Sequence, residues 1–195
     1  KDGRIWFGND IGVDIYDPES GQVSYLSERS GLTSDYTSIM IKTHKDEIVI
    51  GGDAGFSIFD LTENTITNLT PAQGLSPPVM YDMVEVEGDF HIGSDNGIVV
   101  VKRPREDQAE SIWHFYNYGK REGFPFNDYN QATAVYTSTG NVWWGAAPIM
   151  SVNSQVPKID TLRPVVVMTK INIMDQNPDF LGTNFIKSQF TNEDS

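Results

Sequence analysis

The sequence contains no cysteine, few basic residues and no long apolar segment. Without cysteine, the chain cannot form disulfides, thiolate-ligated zinc sites, iron–sulfur clusters or a thiol nucleophile. Its 14 Lys and Arg residues stand against 27 Asp and Glu residues, and the net charge of −13 excludes the basic surface that nucleic acid requires. The longest apolar run, at 164–168, is far shorter than the ~20 residues of a membrane-spanning helix. We therefore expect no nucleic-acid partner, and membrane attachment only through segments outside this chain.

Motifs for metal binding and catalysis are also missing. The histidines His44, His91 and His114 are 47 and 23 residues apart, and this spacing fits no local metal motif. No Gly-x-Ser-x-Gly elbow is present. Loop carboxylates such as Asp10 and Asp53 are explained as turn formers. We therefore predict no catalytic residue, no metal site and no cofactor, and we expect this segment not to be an enzyme.

What the sequence does contain is a repeat. The first copy, at 2–17, joins two short apolar stretches through a Gly-x-x-x-Gly segment, and the pattern returns 43 and then 42 residues later. The three glycine pairs are Gly8 and Gly12, Gly51 and Gly55, and Gly93 and Gly97. A fourth copy ends at Gly145 and lacks its second glycine. The residues between paired glycines favour a tight reversal, so each copy predicts a β-hairpin.

A second motif repeats in the same phase. Gly-Leu-Thr-Ser at 31–34 recurs 43 residues on as Gly-Leu-Ser-Pro at 74–77, and more loosely as Gly-Phe-Pro-Phe at 123–126. Further apolar stretches lie before the hairpins at 36–43, 79–86 and 132–137, and after them at 23–26, 65–69 and 112–118. Four short strands in every 42 to 52 residues, without helical periodicity, are typical of propeller blades.

We therefore predict an all-β chain that is a partial β-propeller of about three and a half four-stranded blades. Because closed propellers usually have four to eight blades, we expect the chain to be the C-terminal end of a longer propeller.

The repeat carries a family resemblance. The motif Asp-Gly-Arg-Ile-Trp-Phe-Gly-x3-Gly-Val-x2-Tyr-Asp at 2–17 resembles the two-component regulator propeller repeat of bacterial hybrid sensors. The Pro-Val-rich stretch at 164–173 is similar to the strand that opens the triple-tyrosine domain, a β-sandwich that follows such propellers. The resemblance implies two parts: the C-terminal blades of a β-propeller at 1–160, and the start of a triple-tyrosine-like β-sandwich at 161–195.

The resemblance also implies a function. It implies the ligand-sensing extracytoplasmic region of a hybrid two-component sensor histidine kinase, located in the periplasm, with the membrane anchor and the kinase outside this chain. The implied ligand is an oligosaccharide, the signal regulates polysaccharide utilisation, and the full-length receptor is a homodimer. Two alternatives stay open. One is a propeller-type carbohydrate-active enzyme, a lyase or hydrolase with carboxylates assembled from several blades. The other is a propeller scaffold that binds only proteins.

Candidate ligand-binding residues follow from the propeller prediction, because loops that enter the inner strands converge on one face around the central channel. Aromatic rings stack on sugar faces, and amides and carboxylates bond sugar hydroxyls. The candidates are Tyr36, Tyr81, Asn127, Asp128, Tyr129 and Asn130. The alternative interpretation is that the three tyrosines begin inner strands and pack between blades.

A charged segment at 102–110 lies between two predicted strands. Its basic residues Lys102, Arg103 and Arg105 are followed by acidic and amide side chains, which argues against an acidic ligand. We predict a solvated loop.

Overall fold

The computed structural model describes residues 3–75, 79–95, 97–105, 112–119, 130–145 and 150–153. All of them belong to one compact unit, Lys1–Val156. They form β-strands and two short 3-10 helices, Glu28–Ser30 and Pro71–Gln73, so the predicted all-β class is confirmed. No helix among these residues is long and apolar enough to cross a membrane. The β-sandwich predicted at 161–195 lies outside the described residues.

The strands form four antiparallel sheets, each made of strands that follow one another in the chain. Sheet I contains β1 (Ile5–Asn9), β2 (Gly12–Tyr16) and β3 (Val23–Leu26). Sheet II contains β4 (Ile39–Lys42), β5 (Glu47–Gly51), β6 (Phe56–Asp60) and β7 (Thr65–Leu69). Sheet III contains β8 (Met80–Val86), β9 (Asp89–Ser94), β10 (Gly97–Lys102) and β11 (His114–Tyr118). Sheet IV contains β12 (Val135–Tyr136), β13 (Asn141–Trp144) and β14 (Met150–Asn153).

The glycine pairs close hairpins, as their spacing predicts. Gly12 is the register partner of Asn9 at the end of the β1–β2 hairpin, and Gly97 is the partner of Ser94 at the end of the β9–β10 hairpin. In the first hairpin, the side-chain oxygen of Asn9 accepts a hydrogen bond from the backbone N–H of Ile11 at 2.9 Å. This Asx-type contact explains why Asn is found at the turn.

The two central strands of sheet II, β5 and β6, are buried on both faces because their side chains alternate between two neighbouring sheets. On β5, Ile48 packs in a cluster with Val13 of sheet I. The next residue, Val49, points the other way and packs in a cluster with Phe90 of sheet III. Burial on both sides explains why β5 lacks the polar alternation of a half-exposed strand.

Sheet III repeats this arrangement. On β10, Val99 and Val101 belong to the cluster shared with sheet II. Ile98 and Val100 belong to a cluster shared with sheet IV, which also contains Trp144. The four sheets are therefore stacked face to face in chain order.

The repeated Gly-Leu motif lies in the connections between sheets. Gly31 and Gly74, which begin the first two copies, each directly follow a 3-10 helix and precede the first strand of the next sheet. The looser copy at 123–126 lies outside the described residues. Leu32 is buried in the cluster between sheets I and II, and Leu75 in the cluster between sheets II and III. The repeated leucine therefore fills the space between two successive sheets.

Arg103 links sheet III to sheet II, so the prediction of a solvated loop at 102–110 is wrong for this residue. Its guanidinium donates two hydrogen bonds to the carboxylate of Glu47, at 2.9 and 2.8 Å. The same group lies 5.2 Å from the ring centre of Phe90 and 5.3 Å from that of Trp113. A planar guanidinium can bond a carboxylate in two places and stack on rings at once, which the sequence pattern alone does not reveal.

Replacement of Leu75 by Ala tests the packing between sheets. We expect the free energy of unfolding to fall by about 2 to 5 kcal/mol, because the substitution leaves a cavity between sheets II and III. Denaturant titration followed by circular dichroism measures the change. Ile11→Ala is the control, since Ile11 is 67% exposed and its loss should change stability by less than about 0.5 kcal/mol. Equal losses in the two variants would contradict the assigned role of Leu75.

Gly55→Ala tests the hairpin geometry. Gly55 has φ +127, and a methyl group on it would lie 2.3 Å from the carbonyl oxygen of Leu69. We expect a loss of roughly 2 kcal/mol or more, because strain and a backbone clash add. Gly21 also has positive φ, at +70, but nothing lies within 4 Å of the added methyl. Gly21→Ala should therefore lose only about 1 kcal/mol, and a similar loss in both variants would exclude the clash as the cause.

Candidate functional site

The candidate residues that the structure describes lie at the start of the first strand in three sheets. Tyr36 precedes β4, Tyr81 is the second residue of β8, and Asn130 precedes β12. The other three candidates, Asn127, Asp128 and Tyr129, lie outside the described residues.

The starts of β4 and β8 are neighbours. Ile39, the first residue of β4, is the register partner of Gly51. A methyl group on Gly51 would lie 2.7 Å from the side chain of Ile39 and 3.4 Å from the sulfur of Met80, the first residue of β8. The first strands of sheets II and III therefore begin at the same end of the stack.

Asp82 joins the starts of β8 and β12. Its carboxylate is only 4% exposed and accepts hydrogen bonds from the backbone N–H groups of Thr133 and Ala134, just before β12. It also accepts one from the N–H of Met83 at 2.8 Å. The structure thus brings Tyr36, Tyr81 and Asn130 to one end of three adjacent sheets. Sequence reasoning missed Asp82, although a carboxylate inside the apolar strand at 79–86 is a signal that could have identified it.

Tyr36 is exposed over 38% of its surface. Its backbone N–H donates to the hydroxyl of Ser34 at 3.0 Å, and that hydroxyl donates to the carboxylate of Asp53 at 2.6 Å. Gly52 allows this loop to approach, because a methyl group on it would lie 2.4 Å from the carbonyl oxygen of Tyr36. Hydrogen bonds therefore hold the backbone of Tyr36 in place and connect its loop, through Ser34, to the exposed residue Asp53.

Tyr81 is placed differently. It lies at a β-bulge between Met80 and Asp82 and is partly buried against the cluster shared by sheets III and IV. A shift of 43 residues from Tyr36 leads to Val79 and not to Tyr81. The two tyrosines are therefore not equivalent in the repeat. Tyr81 lies two residues beyond Val79, the counterpart of Tyr36, and falls within strand β8.

Asn130 is exposed and its backbone is fixed. Its N–H donates to the carbonyl oxygen of Gly145 at 2.9 Å, and its own carbonyl oxygen accepts from the hydroxyl of Thr133 at 2.9 Å. The side-chain amide extends from an anchored backbone, which suits a role in hydrogen bonding to a ligand.

A polar cavity of about 380 Å³ lies at the opposite end of sheets II and III, between the β4–β5 turn, the β8–β9 turn and residues 103–105. Four of its lining side chains take part in ion pairs: His44, Asp89, Arg103 and Arg105. Lys102 and Arg105 lie 2.7 and 3.5 Å from the carboxylate of Asp89, and His44 lies 2.5 Å from that of Glu85. The described candidates do not line this cavity.

His91 is buried on β9 between Val84 and Val100 of the flanking strands. It is 3% exposed, and its Nε2 atom has no hydrogen-bond partner among the described residues. Burial lowers the pKa of His91 to about 4, and the charge of Lys102 acts in the same direction while Asp89 opposes it. The imidazole is therefore a neutral core group at pH 7.

No protein-family model and no curated protein matches the sequence. Among solved structures, the chain is similar to one described as the extracellular domain of the hybrid two-component system BT3049 from B. thetaiotaomicron. The TM-score is 0.60, with 19% identity and 73% of this chain covered. The extracellular domain of the one-component system BT4673 from the same organism gives a TM-score of 0.39, with 14% identity and 75% of this chain covered. The chain spans only 19% and 25% of those two proteins.

The likeness to the BT3049 domain shows that the fold of this chain also occurs there. The repeat motif at 2–17 resembles the propeller repeat of bacterial hybrid sensors, and the BT3049 domain is itself described as part of a hybrid two-component system.

His91 predicts a pH dependence of stability. Its pKa is about 4 in the folded chain and about 6.5 when unfolded, so only the unfolded chain takes up the proton between these values. Above about pH 6.5, His91 is neutral in both states and does not lower the free energy of unfolding. As the pH falls toward 4, protonation of the unfolded chain lowers the free energy of unfolding, by a total on the order of 3 kcal/mol. Denaturant titrations of wild type and His91→Leu at pH 7 and 4.5 measure it. The variant should lose less stability on acidification, and parallel losses would contradict the assignment.

Proposed function

We propose that this chain is part of the ligand-sensing extracytoplasmic region of a hybrid two-component sensor histidine kinase and resides in the periplasm. The observation that supports this most is the fold match to part of an extracellular sensor domain, together with the repeat motif at 2–17. In this proposal, the four stacked sheets are consecutive propeller blades. Their inner strands include β4, β8 and β12, and the kinase lies elsewhere in the full-length protein.

The proposed ligand is an oligosaccharide bound where the inner strands begin. Tyr36, which is 38% exposed, offers a ring for stacking on a sugar face, and Asp53, linked to the same loop through Ser34, offers a carboxylate for sugar hydroxyls. Asn130 adds an exposed amide from the start of β12. Because the chain carries a net charge of −13, a neutral saccharide suits this surface better than a polyanionic one.

Signalling requires that the ligand bind one arrangement of the receptor more tightly than another. A fixed loop on a rigid sheet is suited to this task, since little binding energy is spent on ordering the loop. We propose that the receptor is a homodimer and that saccharide binding changes the relation between its two ectodomains, which regulates polysaccharide utilisation.

Glycan arrays followed by calorimetric titration test the proposal, with both the purified 195-residue chain and the longest ectodomain that contains it. Neutral oligosaccharides are expected to bind, whereas uronic-acid oligosaccharides of the same length are expected to bind more weakly. New reducing ends or unsaturated products would instead identify a hydrolase or lyase. A stable protein complex without any saccharide binding would identify a protein scaffold.

Tyr36→Ala tests the site itself. We expect the saccharide affinity to fall by roughly tenfold, because the stacking partner is lost. Tyr25→Ala is a matched control, since Tyr25 is similarly exposed but lies on β3 of sheet I. Unchanged affinity in the Tyr36 variant, or an equal fall in both variants, would place the saccharide site elsewhere.

A further inference from the structure

The polar cavity between the β4–β5 turn, the β8–β9 turn and residues 103–105, called here the turn cavity, lies in the most basic part of an acidic chain. Five of the seven lysine and arginine residues that the structure describes lie on β4, on β10 or within three residues after these strands. They are Lys42, Lys45, Lys102, Arg103 and Arg105. In a chain with a net charge of −13, this concentration of cations is a local exception.

Two of the five cations are neutralised by buried carboxylates. Arg103 donates two hydrogen bonds to Glu47, at 2.9 and 2.8 Å. Lys102 donates to the carboxylate of Asp89 at 2.7 Å, and the other oxygen of this carboxylate accepts from the backbone N–H of Arg103 at 2.9 Å. Glu47 and Asp89 are both buried. These pairs are complete without a ligand, and they form a fixed wall of the turn cavity.

Two further cations line the turn cavity and are not fully paired. Arg105 is 54% exposed in its side chain and lies 3.5 Å from the carboxylate of Asp89, which Lys102 already neutralises. This distance is longer than the about 2.8 Å of a good charge-assisted hydrogen bond. Lys45 is exposed in the β4–β5 turn, and its ammonium forms no ion pair with the acidic residues that the structure describes. Arg105 and Lys45 can therefore both bond an incoming anion.

One carboxylate of the lining opposes an anion. Glu87 in the β8–β9 turn is exposed, and within the described part of the chain it forms no ion pair. When the completed pairs are set aside, Lys45, Arg105 and Glu87 remain, which is a surplus of one positive charge. The acidic side chains at 106–110, on which the sequence argument against an acidic ligand depends, lie outside the described residues.

The chemistry of these three groups suits an oxyanion that is carried by a larger molecule. A planar guanidinium bonds two oxygens of one phosphate or sulfate group, and a lysine ammonium adds a point charge from another side. A carboxylate accepts hydrogen bonds from hydroxyl groups, so Glu87 repels a bare anion but can bond a hydroxyl on the same ligand. The cavity volume of about 380 Å³ exceeds that of a lone phosphate ion and leaves room for such a ligand.

We infer that the turn cavity binds the phosphate or sulfate group of a small hydroxylated molecule. Arg105 and Lys45 bond the oxyanion, and Glu87 accepts a hydrogen bond from a hydroxyl of the ligand. The cavity lies at the opposite end of sheets II and III from Tyr36. The inference therefore holds whether or not the chain binds a saccharide at the Tyr36 end.

Titration of the 195-residue chain with inorganic phosphate at constant ionic strength, followed by amide NMR, tests the site. We expect saturable shifts of the amides of Lys45 and Arg105, and unchanged amides around Tyr36. Glucose 6-phosphate and glucose 6-sulfate should bind at the same amides roughly threefold more tightly than phosphate, because their hydroxyls reach Glu87. Glucose should leave these amides unchanged. Absence of a phosphate response at Lys45 and Arg105, or an equal response to glucose, would overturn the inference.

The source of the oxyanion is a separate arm of the test. Flotation with phosphatidylglycerol vesicles, compared with phosphatidylcholine vesicles, detects recognition of a lipid headgroup. We expect no flotation with either vesicle. Flotation with phosphatidylglycerol alone would contradict a small soluble ligand and would assign the same cations to a membrane surface.

Paired charge variants distinguish the site from diffuse attraction. Lys45→Gln should lower the phosphate affinity roughly fivefold or more, because a charge-assisted bond is lost. Glu87→Gln should raise the phosphate affinity roughly twofold or more, and should reduce the advantage of glucose 6-phosphate over phosphate. Lys42→Gln is the matched control, since Lys42 is exposed, pairs with Asp46 at 3.2 Å and does not line the cavity. Circular dichroism verifies that each variant is folded. Equal losses in the Lys45 and Lys42 variants, or a loss of phosphate affinity in the Glu87 variant, would refute the assigned site.

Discussion

The alternation of side chains on β5 and β10 is the constraint on which the packing of this unit depends. Each of these strands sends successive residues into two different clusters, so that one sheet contributes to the core on both of its sides. A single small sheet with two apolar faces is not stable in water, and burial of one Val or Ile side chain is worth about 1.5 to 3 kcal/mol. Stability of sheets II and III therefore comes from their neighbours, as in other repeat architectures.

Apolar contact between sheets is not directional, so other interactions must fix how one sheet sits on the next. Two buried polar links do this for sheet III. Arg103 bonds Glu47 of sheet II near one end of the strands, and Asp82 bonds the backbone before β12 near the other. Hydrogen bonds demand a particular geometry, and the loss of one partner would leave a buried charge unpaired. We interpret these links as the features that set the register of the stack.

Local features of the fold could be predicted from the sequence, because they depend on neighbours in the chain. The glycine pairs and the alternation of apolar residues were sufficient for the hairpins, and the Gly-Leu repeats marked the connections. The links between sheets could not be predicted in this way. Arg103 and Glu47 are 56 residues apart, and Asp82 is 51 residues from Thr133, so only the stacking of the sheets brings them together. A charged segment such as 102–110 gives no sign of which of its residues turns inward.

The candidate site shows the same division between local and long-range information. The repeat predicted that Tyr36 and Tyr81 lie at the starts of the first strands of sheets II and III. How far each side chain is exposed depends on its exact position relative to that strand. Tyr36 lies before β4, where the alternation that fills the clusters has not yet begun, and it belongs to none of the three clusters. Tyr81 lies within β8 and joins a cluster. Val79, the counterpart of Tyr36 ahead of β8, is equally exposed at 38%. These two positions can therefore vary without disturbing the packing. A surface built from these positions can change its chemical character from one repeat to the next while the stack beneath it stays the same.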